Sequence, residues 1–192
     1  MDNSVNTLDI INIIDSLDKD MNVDGYMVQL PLPDHINTNL VLEAIDPRKD
    51  VDGLSPVNLG KLFQKDQSGI APATPLGIMK LLGEYNIKLF GKHDVILGAS
   101  AIVGIPLEAM LLEKNATVTL CNIHTVDIEE IAQQADILIC ATGKPLLVKK
   151  NFLKPEVVVM DVGSSRHPET GKIVGDVDWE SIQGIPSYIT PV

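Results

Sequence analysis

The sequence is poor in cysteine and in aromatic residues. Its 192 residues include two cysteines, Cys121 and Cys140, and the disulfide framework of a small secreted domain requires more. Both cysteines close apolar runs, as buried strand residues do, so we interpret them as core thiols in a reducing compartment. Because aromatic residues make up 4% of the chain, we expect a core built from aliphatic side chains.

Positive charge is also scarce. Lysine and arginine total 15, against 26 aspartate and glutamate residues, which gives a formal net charge of −11. Nucleic acids and anionic membrane surfaces bind clustered cations. The composition therefore argues against both kinds of partner.

Long apolar runs and metal-ligand clusters are missing as well. No apolar run approaches the ~20 residues that a membrane span needs, and the first residues show neither the basic nor the apolar region of a signal peptide. No cysteine or histidine group has zinc spacing, so we expect no metal site. Together these absences predict a cytoplasmic protein.

Apolar strands alternate with amphipathic helices from about residue 94. The sequence predicts helices over 102–114 and 128–134 and strands over 95–97, 116–120, 137–140 and 157–160. Such alternation is typical of β-α-β units, in which helices cover both faces of a parallel sheet. We therefore expect residues 74–192 to form a Rossmann-like nucleotide-binding lobe of an α/β fold.

The first 73 residues follow another pattern and are predicted to form part of a second α/β lobe. Apolar residues at helical spacing predict a helix over 7–20 with Thr7 as its N-cap. A short strand is expected over 26–30, because the prolines that follow, Pro31 and Pro33, end it. At the start of the second lobe, Thr74 is predicted to cap a helix that has Pro75 in its first position.

The turn after the predicted strand 95–97 is a candidate phosphate site. Gly98 permits a tight turn, Gly104 permits close helix–sheet packing, and the N-terminus of the next helix attracts anions. Ser100 stands where the usual dinucleotide fingerprint has its second glycine, and the spacing to Gly104 is one residue longer. On these residues alone, a dinucleotide site and an ordinary β-α turn are equally good interpretations.

Two further loops follow predicted strands of the same lobe. After strand 116–120 there is neither a well-placed acid nor a lysine or arginine, and His124 is read as a surface histidine. The choice between NAD and NADP therefore stays open on these residues. Thr142 and Gly143 stand at the edge where open α/β sheets bind ligands, although an ordinary loop is the simpler interpretation.

Polar residues in the first lobe each allow a structural and a ligand-binding interpretation. Gln29 lies in an apolar strand, so its amide either has a structural partner or faces a cleft. Asp50 and Asp52 are spaced to recognise a donor-rich heterocycle or to hold a turn. For Asp50 the turn is the better interpretation.

Several motifs taken together resemble those of the bifunctional methylenetetrahydrofolate dehydrogenase/cyclohydrolase family. The resemblance runs from about Asp24 to Val192, and VQLPLP and KDVDG are its most specific motifs. The other motifs, in order along the chain, are ATPLG, GASAIVGIP, ATGKP, MDVG, GKIVGDVD and YITPV.

The resemblance implies two lobes with a folate between them. It implies oxidation of 5,10-methylenetetrahydrofolate to the methenyl form by hydride transfer to NADP, and then hydrolysis to 10-formyltetrahydrofolate in the same site. It also implies a homodimer formed through the nucleotide-binding lobe.

The resemblance further assigns roles to particular residues of this chain. Gln29 would orient a catalytic lysine, Asp52 would hydrogen-bond the pterin ring, and Leu30 and Pro31 would line the pterin pocket. A carboxylate suits a donor-rich ring edge because charge-assisted hydrogen bonds are strong. The residues that would contact the dinucleotide are Thr74, Gly98, Ser100, Ile102, His124, Thr142 and Gly143.

The chain departs from the family pattern at two points. The catalytic Tyr-x-x-x-Lys of the family, which precedes VQLPLP, occurs nowhere in these 192 residues, and the glycine-rich loop that follows ITPV in the family is absent. We therefore expect a sequence truncated at both ends and without cyclohydrolase activity, since that step needs the lysine for proton transfer. The alternative is a catalytically impaired remnant that binds a dinucleotide or serves only as an interaction partner.

Overall fold

The computed structural model describes residues 4–167 and 169–191. The chain divides between Ala73 and Thr74 into two compact units. Unit 1 comprises residues 1–73, and unit 2 comprises residues 74–192. No helix in the described ranges is long and apolar enough to cross a membrane.

The described part of unit 1 contains three helices, α1 (Thr7–Lys19), α2 (Thr38–Glu43) and α3 (Pro56–Phe63). The helices begin where side-chain oxygens accept hydrogen bonds from free N–H groups, at Asn6, Asn37 and Ser55. A small aliphatic core joins α1 to α2 and to the segments beside them. Its buried members are Ile10, Ile14, Ile36, Val41 and Ile45.

The predicted cap of α1 is wrong by one residue. Asn6, and not Thr7, accepts hydrogen bonds from the N–H groups of Leu8 and Asp9, while Asp9 accepts one from the N–H of Asn6. The Thr7 hydroxyl is engaged elsewhere, because it accepts a hydrogen bond of 3.0 Å from the N–H of Asn37. The side chain thus ties the start of α1 to the start of α2.

The strand predicted over 26–30 is also wrong, because only a single parallel bridge forms there. Tyr26 donates its N–H to the carbonyl of Lys49 at 2.9 Å and accepts from the N–H of Val51 at 3.4 Å. Among the described residues no further ladder bonds extend this bridge. The Lys49 ammonium donates to three carbonyls at the end of α1, those of Leu17, Asp18 and Asp20.

Unit 2 contains the predicted parallel sheet. Its five strands are β1 (His93–Leu97), β2 (Thr117–Cys121), β3 (Ile137–Cys140), β4 (Val158–Asp161) and β7 (Tyr188–Ile189), in the order β2-β1-β3-β4-β7. All neighbours are parallel. The short antiparallel pair β5 (Ser165–Arg166) and β6 (Ile173–Val174) stands apart.

Helices α4 (Ala73–Glu84), α5 (Gly104–Glu113), α6 (Ile128–Ala132) and α7 (Trp179–Ile182) complete the unit, together with a 3₁₀ turn at Lys150–Phe152. Successive strand residues alternate between two aliphatic clusters, because side chains of a strand point to opposite faces. Val95 and Leu97 join one cluster, and Ile96 joins the other. Cys121 and Cys140 are buried in the first cluster, as predicted.

Two helix starts in unit 2 differ from prediction. Helix α4 begins at Ala73, so Thr74 lies inside its first turn and is not the cap. Helix α5 begins at Gly104, two residues later than expected, because Ser100 accepts a hydrogen bond from the N–H of Val103 and extends the preceding turn.

Strand β1 carries a buried carboxylate. Asp94 is fully buried, and neither of its oxygens has a hydrogen-bond partner among the described residues. It lies on the same strand face as Ile96, which belongs to an apolar cluster. Burial, with a smaller contribution from the charge of Asp136, raises the pKa of Asp94 to about 7, and Lys92 opposes the shift.

Replacement of Asp94 with asparagine is expected to stabilise the protein, and more so at high pH. Below about pH 4 the carboxyl is protonated in both states, so its ionisation adds no cost. Between pH 4 and 7 the unfolded chain releases the proton and the folded chain retains it, so the cost grows to roughly 4 kcal/mol and then stays constant. Denaturant unfolding of both proteins at about pH 3.5, 5.5 and 8, with one point in each part of this range, measures the effect.

Asp136→Asn is the matched control, with the opposite sign. Lys154 contacts Asp136 at 2.8 Å and lowers the pKa of that carboxyl, so its contribution to stability is present at neutral pH and lost in acid. This variant should therefore be destabilised at pH 7 more than at low pH. An effect of Asp94→Asn that does not change with pH would contradict the assignment of Asp94.

Candidate functional site

The sheet of unit 2 has its topological switch point between β1 and β3. The chain passes from β1 to β2 on one side and then returns to place β3 on the other side of β1. Crevices at the carboxyl ends of strands, where the strand order reverses, are the usual ligand sites of open α/β sheets. The loops after β1 and β3 carry Gly98, Thr142 and Gly143, which the sequence analysis assigned to a dinucleotide.

Two glycines allow the backbones at this point to approach one another. Gly98 has a φ of +115°, and a Cβ there would overlap the carbonyl oxygen of Ala141. A Cβ on Gly104 would overlap the carbonyl oxygen of Gly98. The turn after β1 therefore packs against both the loop after β3 and the start of α5, and only glycine fits these two positions.

The N-terminus of α5 adjoins this turn. No side chain caps the helix, which has Val103 in the N-cap position. Ser100 is exposed and its carbonyl accepts from the N–H of Ile105 at 3.0 Å, while Ile102 is also exposed. A ten-residue helix with an uncapped N-terminus beside two glycines has the features of a phosphate-binding β-α turn.

The loop after β2 is exposed and closed by its own hydrogen bonds. Asn122 donates its N–H to the Thr125 hydroxyl at 2.9 Å, and its side chain accepts from the N–H of His124 at 2.8 Å. No lysine or arginine occurs in residues 98–113 or 121–134. His124 is thus the sole side chain in this loop that is able to carry positive charge, and it lies on the surface.

The loop after β3 is held by a carboxylate to which the sequence analysis assigned no role. Asp176 is fully buried, and one of its oxygens accepts from the N–H groups of Thr142 and Gly143 and from the Thr142 hydroxyl. Asp161, at the end of β4, accepts in turn from the N–H groups of Asp176 and Val177. A charged residue within the apolar run IVGDV is the sequence signal for this arrangement.

Two nearby acids of unit 1, Asp50 and Asp52, have different surroundings. Asp50 is buried and accepts from the N–H groups of Leu54 and Ser55 and from the Asn58 amide, at 2.8–3.3 Å. Although burial acts in the opposite direction, these bonds hold the pKa of Asp50 below its usual value. Asp50 therefore holds a turn, as the sequence analysis expected.

Asp52 is the acid that remains available to a ligand. It is half-buried, and its carboxylate makes no hydrogen bond to the described residues. Burial and the negative charge of Asp50 raise the pKa of Asp52. A partly desolvated carboxylate with free acceptor oxygens favours a ligand that brings its own donors.

Gln29, Leu30 and Pro31 lie on the segment that leaves the same bridge as Asp52. The parallel bridge of Tyr26 with Asp50 means that residues 27–31 and 51–53 run on from it in the same direction. The Gln29 side chain is exposed and donates to the carbonyl of Leu30 at 3.1 Å. Among the described residues its amide therefore has only a local partner.

Thr74, in contrast, has no hydrogen bond that ties it to the other predicted cofactor residues. It is exposed in the first turn of α4, and its side chain makes no hydrogen bond to the described part of the chain. The described residues also include no group of three or more His, Cys, Asp or Glu side chains arranged to hold a metal ion.

Two domain models of one protein family match most of unit 1 and all of unit 2. Residues 72–192 match the tetrahydrofolate dehydrogenase/cyclohydrolase NAD(P)-binding domain, and residues 1–52 match the catalytic domain of the same family. The chain belongs to the tetrahydrofolate dehydrogenase/cyclohydrolase family. The resemblance seen in its motifs is thereby confirmed.

Individual members of the family are similar over almost the whole chain. The bifunctional protein FolD of Wolinella succinogenes is 50% identical over all 192 residues, which span 66% of its length. The FolD crystal structure from Campylobacter jejuni has a TM-score of 0.94 at 49% identity, covering 98% of this chain and 67% of that one. The Trypanosoma brucei enzyme, solved with NADP and an inhibitor, has a TM-score of 0.91 at 34% identity, covering 98% and 66%.

These neighbours confirm the α/β class and the Rossmann-like sheet of unit 2. The chain spans about two thirds of the length of the curated relatives that it matches. The activities of these longer relatives therefore support a proposal about the function of this chain.

Replacement of Gly98 with alanine is expected to destabilise the protein by about 2–4 kcal/mol. The added Cβ would collide with the Ala141 carbonyl, and the residue would keep a positive φ that alanine rarely adopts. Thermal unfolding and denaturant titration measure the loss. Gly77→Ala is the control, because that glycine lies in α4 with no atom within 4 Å of the added Cβ, and it should be neutral or slightly stabilising. Equal effects of the two substitutions would contradict the close packing at Gly98.

Proposed function

We propose that this chain forms the dinucleotide-binding part and much of the folate-binding part of a methylenetetrahydrofolate dehydrogenase. The reaction is oxidation of 5,10-methylenetetrahydrofolate to the 5,10-methenyl form, with hydride transfer to NADP. Hydrolysis to 10-formyltetrahydrofolate is proposed for the full-length protein. The observation that carries the proposal is the 50% identity with a bifunctional FolD over every residue of the chain.

The carboxyl edge of the unit 2 sheet fits a dinucleotide. Gly98 and Gly104 let the turn after β1 pack closely against the loop after β3 and the start of α5, and the positive end of the α5 dipole adjoins this turn. We assign the contacts at this edge to Gly98, Ser100, Ile102, Thr142 and Gly143, and we add Thr74 and His124 because the family resemblance implies them. When bound, the nicotinamide accepts the hydride, and these residues orient it.

NADP is the preferred dinucleotide because a family member has been solved with it. In this chain the loop after β2 offers only His124 as a cationic partner for a 2′-phosphate. NAD is therefore assayed in parallel.

Asp52 is proposed to bind the pterin ring. Its free carboxylate oxygens accept hydrogen bonds from the donor-rich edge of the ring, and partial burial strengthens these bonds. Leu30 and Pro31 supply apolar surface on the neighbouring segment. Gln29 is assigned to orient the lysine that the hydrolytic step requires, and the 192 residues contain no Tyr-x-x-x-Lys to supply it.

A homodimer formed through unit 2 and a cytoplasmic location extend the same proposal. Light scattering on the purified chain tests the first, and a monomer at all concentrations would contradict it.

The test of the proposed function is reduction of NADP by 5,10-methylenetetrahydrofolate, followed by absorbance on the 192-residue chain and on the full-length protein. Activity of either supports the proposal. If the full-length protein is folded and binds neither NADP nor the folate, the proposal is wrong.

Asp52→Asn is expected to weaken folate binding about 10- to 100-fold, since a hydrogen bond to a charged group contributes roughly 1.5–3 kcal/mol. The KM for the folate should rise while the KM for NADP stays constant. Because the pKa of Asp52 is raised, folate affinity of the unmodified protein should fall with decreasing pH earlier than for an ordinary aspartate. Folate titrations across pH measure both effects.

Asp66→Asn is the control for Asp52, because this acid lies on the surface of unit 1 and its carboxylate accepts from the N–H of Ser68. Folate affinity should not change in this variant. A similar loss in both variants would exclude a specific role for Asp52.

A further inference from the structure

Asp176 is fully buried, and the hydrogen bonds to its carboxylate come from one turn of the chain. One of its oxygens accepts three hydrogen bonds, from the N–H of Thr142 at 2.5 Å, the Thr142 hydroxyl at 2.8 Å and the N–H of Gly143 at 3.2 Å. No lysine, arginine or histidine pairs with it among the described residues. All three hydrogen bonds to this oxygen come from one turn, whereas the other carboxylate oxygen is buried without a partner among the described residues.

Asp161 holds Asp176 in place from the end of β4. Its two oxygens accept from the N–H groups of Gly163, Asp176 and Val177, at 3.0–3.1 Å. A Cβ on Gly163 would overlap the other oxygen of Asp176, so this glycine leaves the room that the carboxylate occupies. The two acids therefore link β4, the segment 175–177 and the loop after β3 into one arrangement.

The consequence for a ligand at this edge is specific. Both N–H groups of the 142–143 turn point at Asp176, so neither is free to donate to a dinucleotide. The Thr142 hydroxyl donates to the same oxygen and accepts from the N–H of Lys144. The carbonyl of Gly143 accepts from the Ser165 hydroxyl at 3.0 Å. The surface that this turn presents to a ligand is set by Asp176.

We propose that Asp176 is a positioning residue for the dinucleotide, which fixes the turn of Thr142 and Gly143 against the switch point of the sheet, and that Asp161 supports it. The proposal rests on the proposed function, since it concerns the dinucleotide site assigned above. Asp176 acts through the turn and does not contact the ligand.

The experiment compares Asp176→Asn and Asp176→Ala with the unmodified 192-residue chain. NADP is titrated into each protein by calorimetry, and amide hydrogen exchange of Thr142 and Gly143 is followed without ligand. The alanine variant removes the acceptor and should weaken NADP binding at least tenfold, with fast exchange of both amides. The asparagine variant retains one neutral acceptor oxygen, so it should recover part of the affinity and of the protection.

Asp178→Asn is the matched control. Asp178 stands two residues away, and its side chain accepts from the N–H of Ser181 at the start of α7. This variant should lower the melting temperature slightly and leave NADP affinity unchanged. In the active protein, the Asp176 variants should raise the KM for NADP and leave the KM for the folate unchanged.

Separate outcomes identify which idea fails. If the unmodified chain binds NADP and folded Asp176→Asn and Asp176→Ala bind it equally well, the positioning role is overturned. Fast exchange of both amides with unchanged affinity would also overturn it, because loosening of the turn would then have no effect on the ligand. If neither the unmodified chain nor the full-length protein binds NADP, the proposed function fails, and this proposal fails with it.

Discussion

The contact between two backbones at Gly98 is the constraint on which unit 2 depends. The turn after β1 runs directly under the Ala141 carbonyl, and the first residue of α5 lies directly against the Gly98 carbonyl. The ladder between β1 and β3 brings their carboxyl ends together where the strand order reverses, and the Gly98 contact lets the turns that follow them lie against each other. The N-terminus of α5 and the loop after β3 therefore both lie against the same turn.

Acidic side chains have different tasks in this strongly acidic chain. Asp50, Asp161 and Asp176 accept backbone hydrogen bonds and hold turns. Asp94 is buried without a hydrogen-bond partner among the described residues and lowers stability. Asp52 alone of these five is partly buried with its oxygens free of the described residues, which is why it is the one assigned to a ligand.

Much of the fold of unit 2 was predictable because its signals are local. Apolar runs bounded by turn residues mark β1 to β4, and each lies within about two residues of its predicted position. The predictions that failed depended on hydrogen bonds with residues distant in sequence. The Thr7 hydroxyl accepts from Asn37, thirty residues away, and so leaves the cap of α1 to Asn6. Residues 26–30 form no strand because ladder bonds depend on a partner segment, and a single bridge is present.

The candidate site divides in the same way. Periodicity, glycine spacing and motif resemblance by themselves determined the α/β class, the family and the loops that carry Gly98, Thr142 and Asp52. Only the tertiary structure decided that the Asp50 carboxylate accepts the hydrogen bonds of a turn, while the Asp52 carboxylate makes none to the described residues. It also decided that Asp176 holds the loop after β3, which lies thirty-four residues earlier in the chain. The physical reason is that hydrogen-bond satisfaction and desolvation depend on which groups the fold brings together. Local sequence sets the periodicity of each element, but it does not contain those distances.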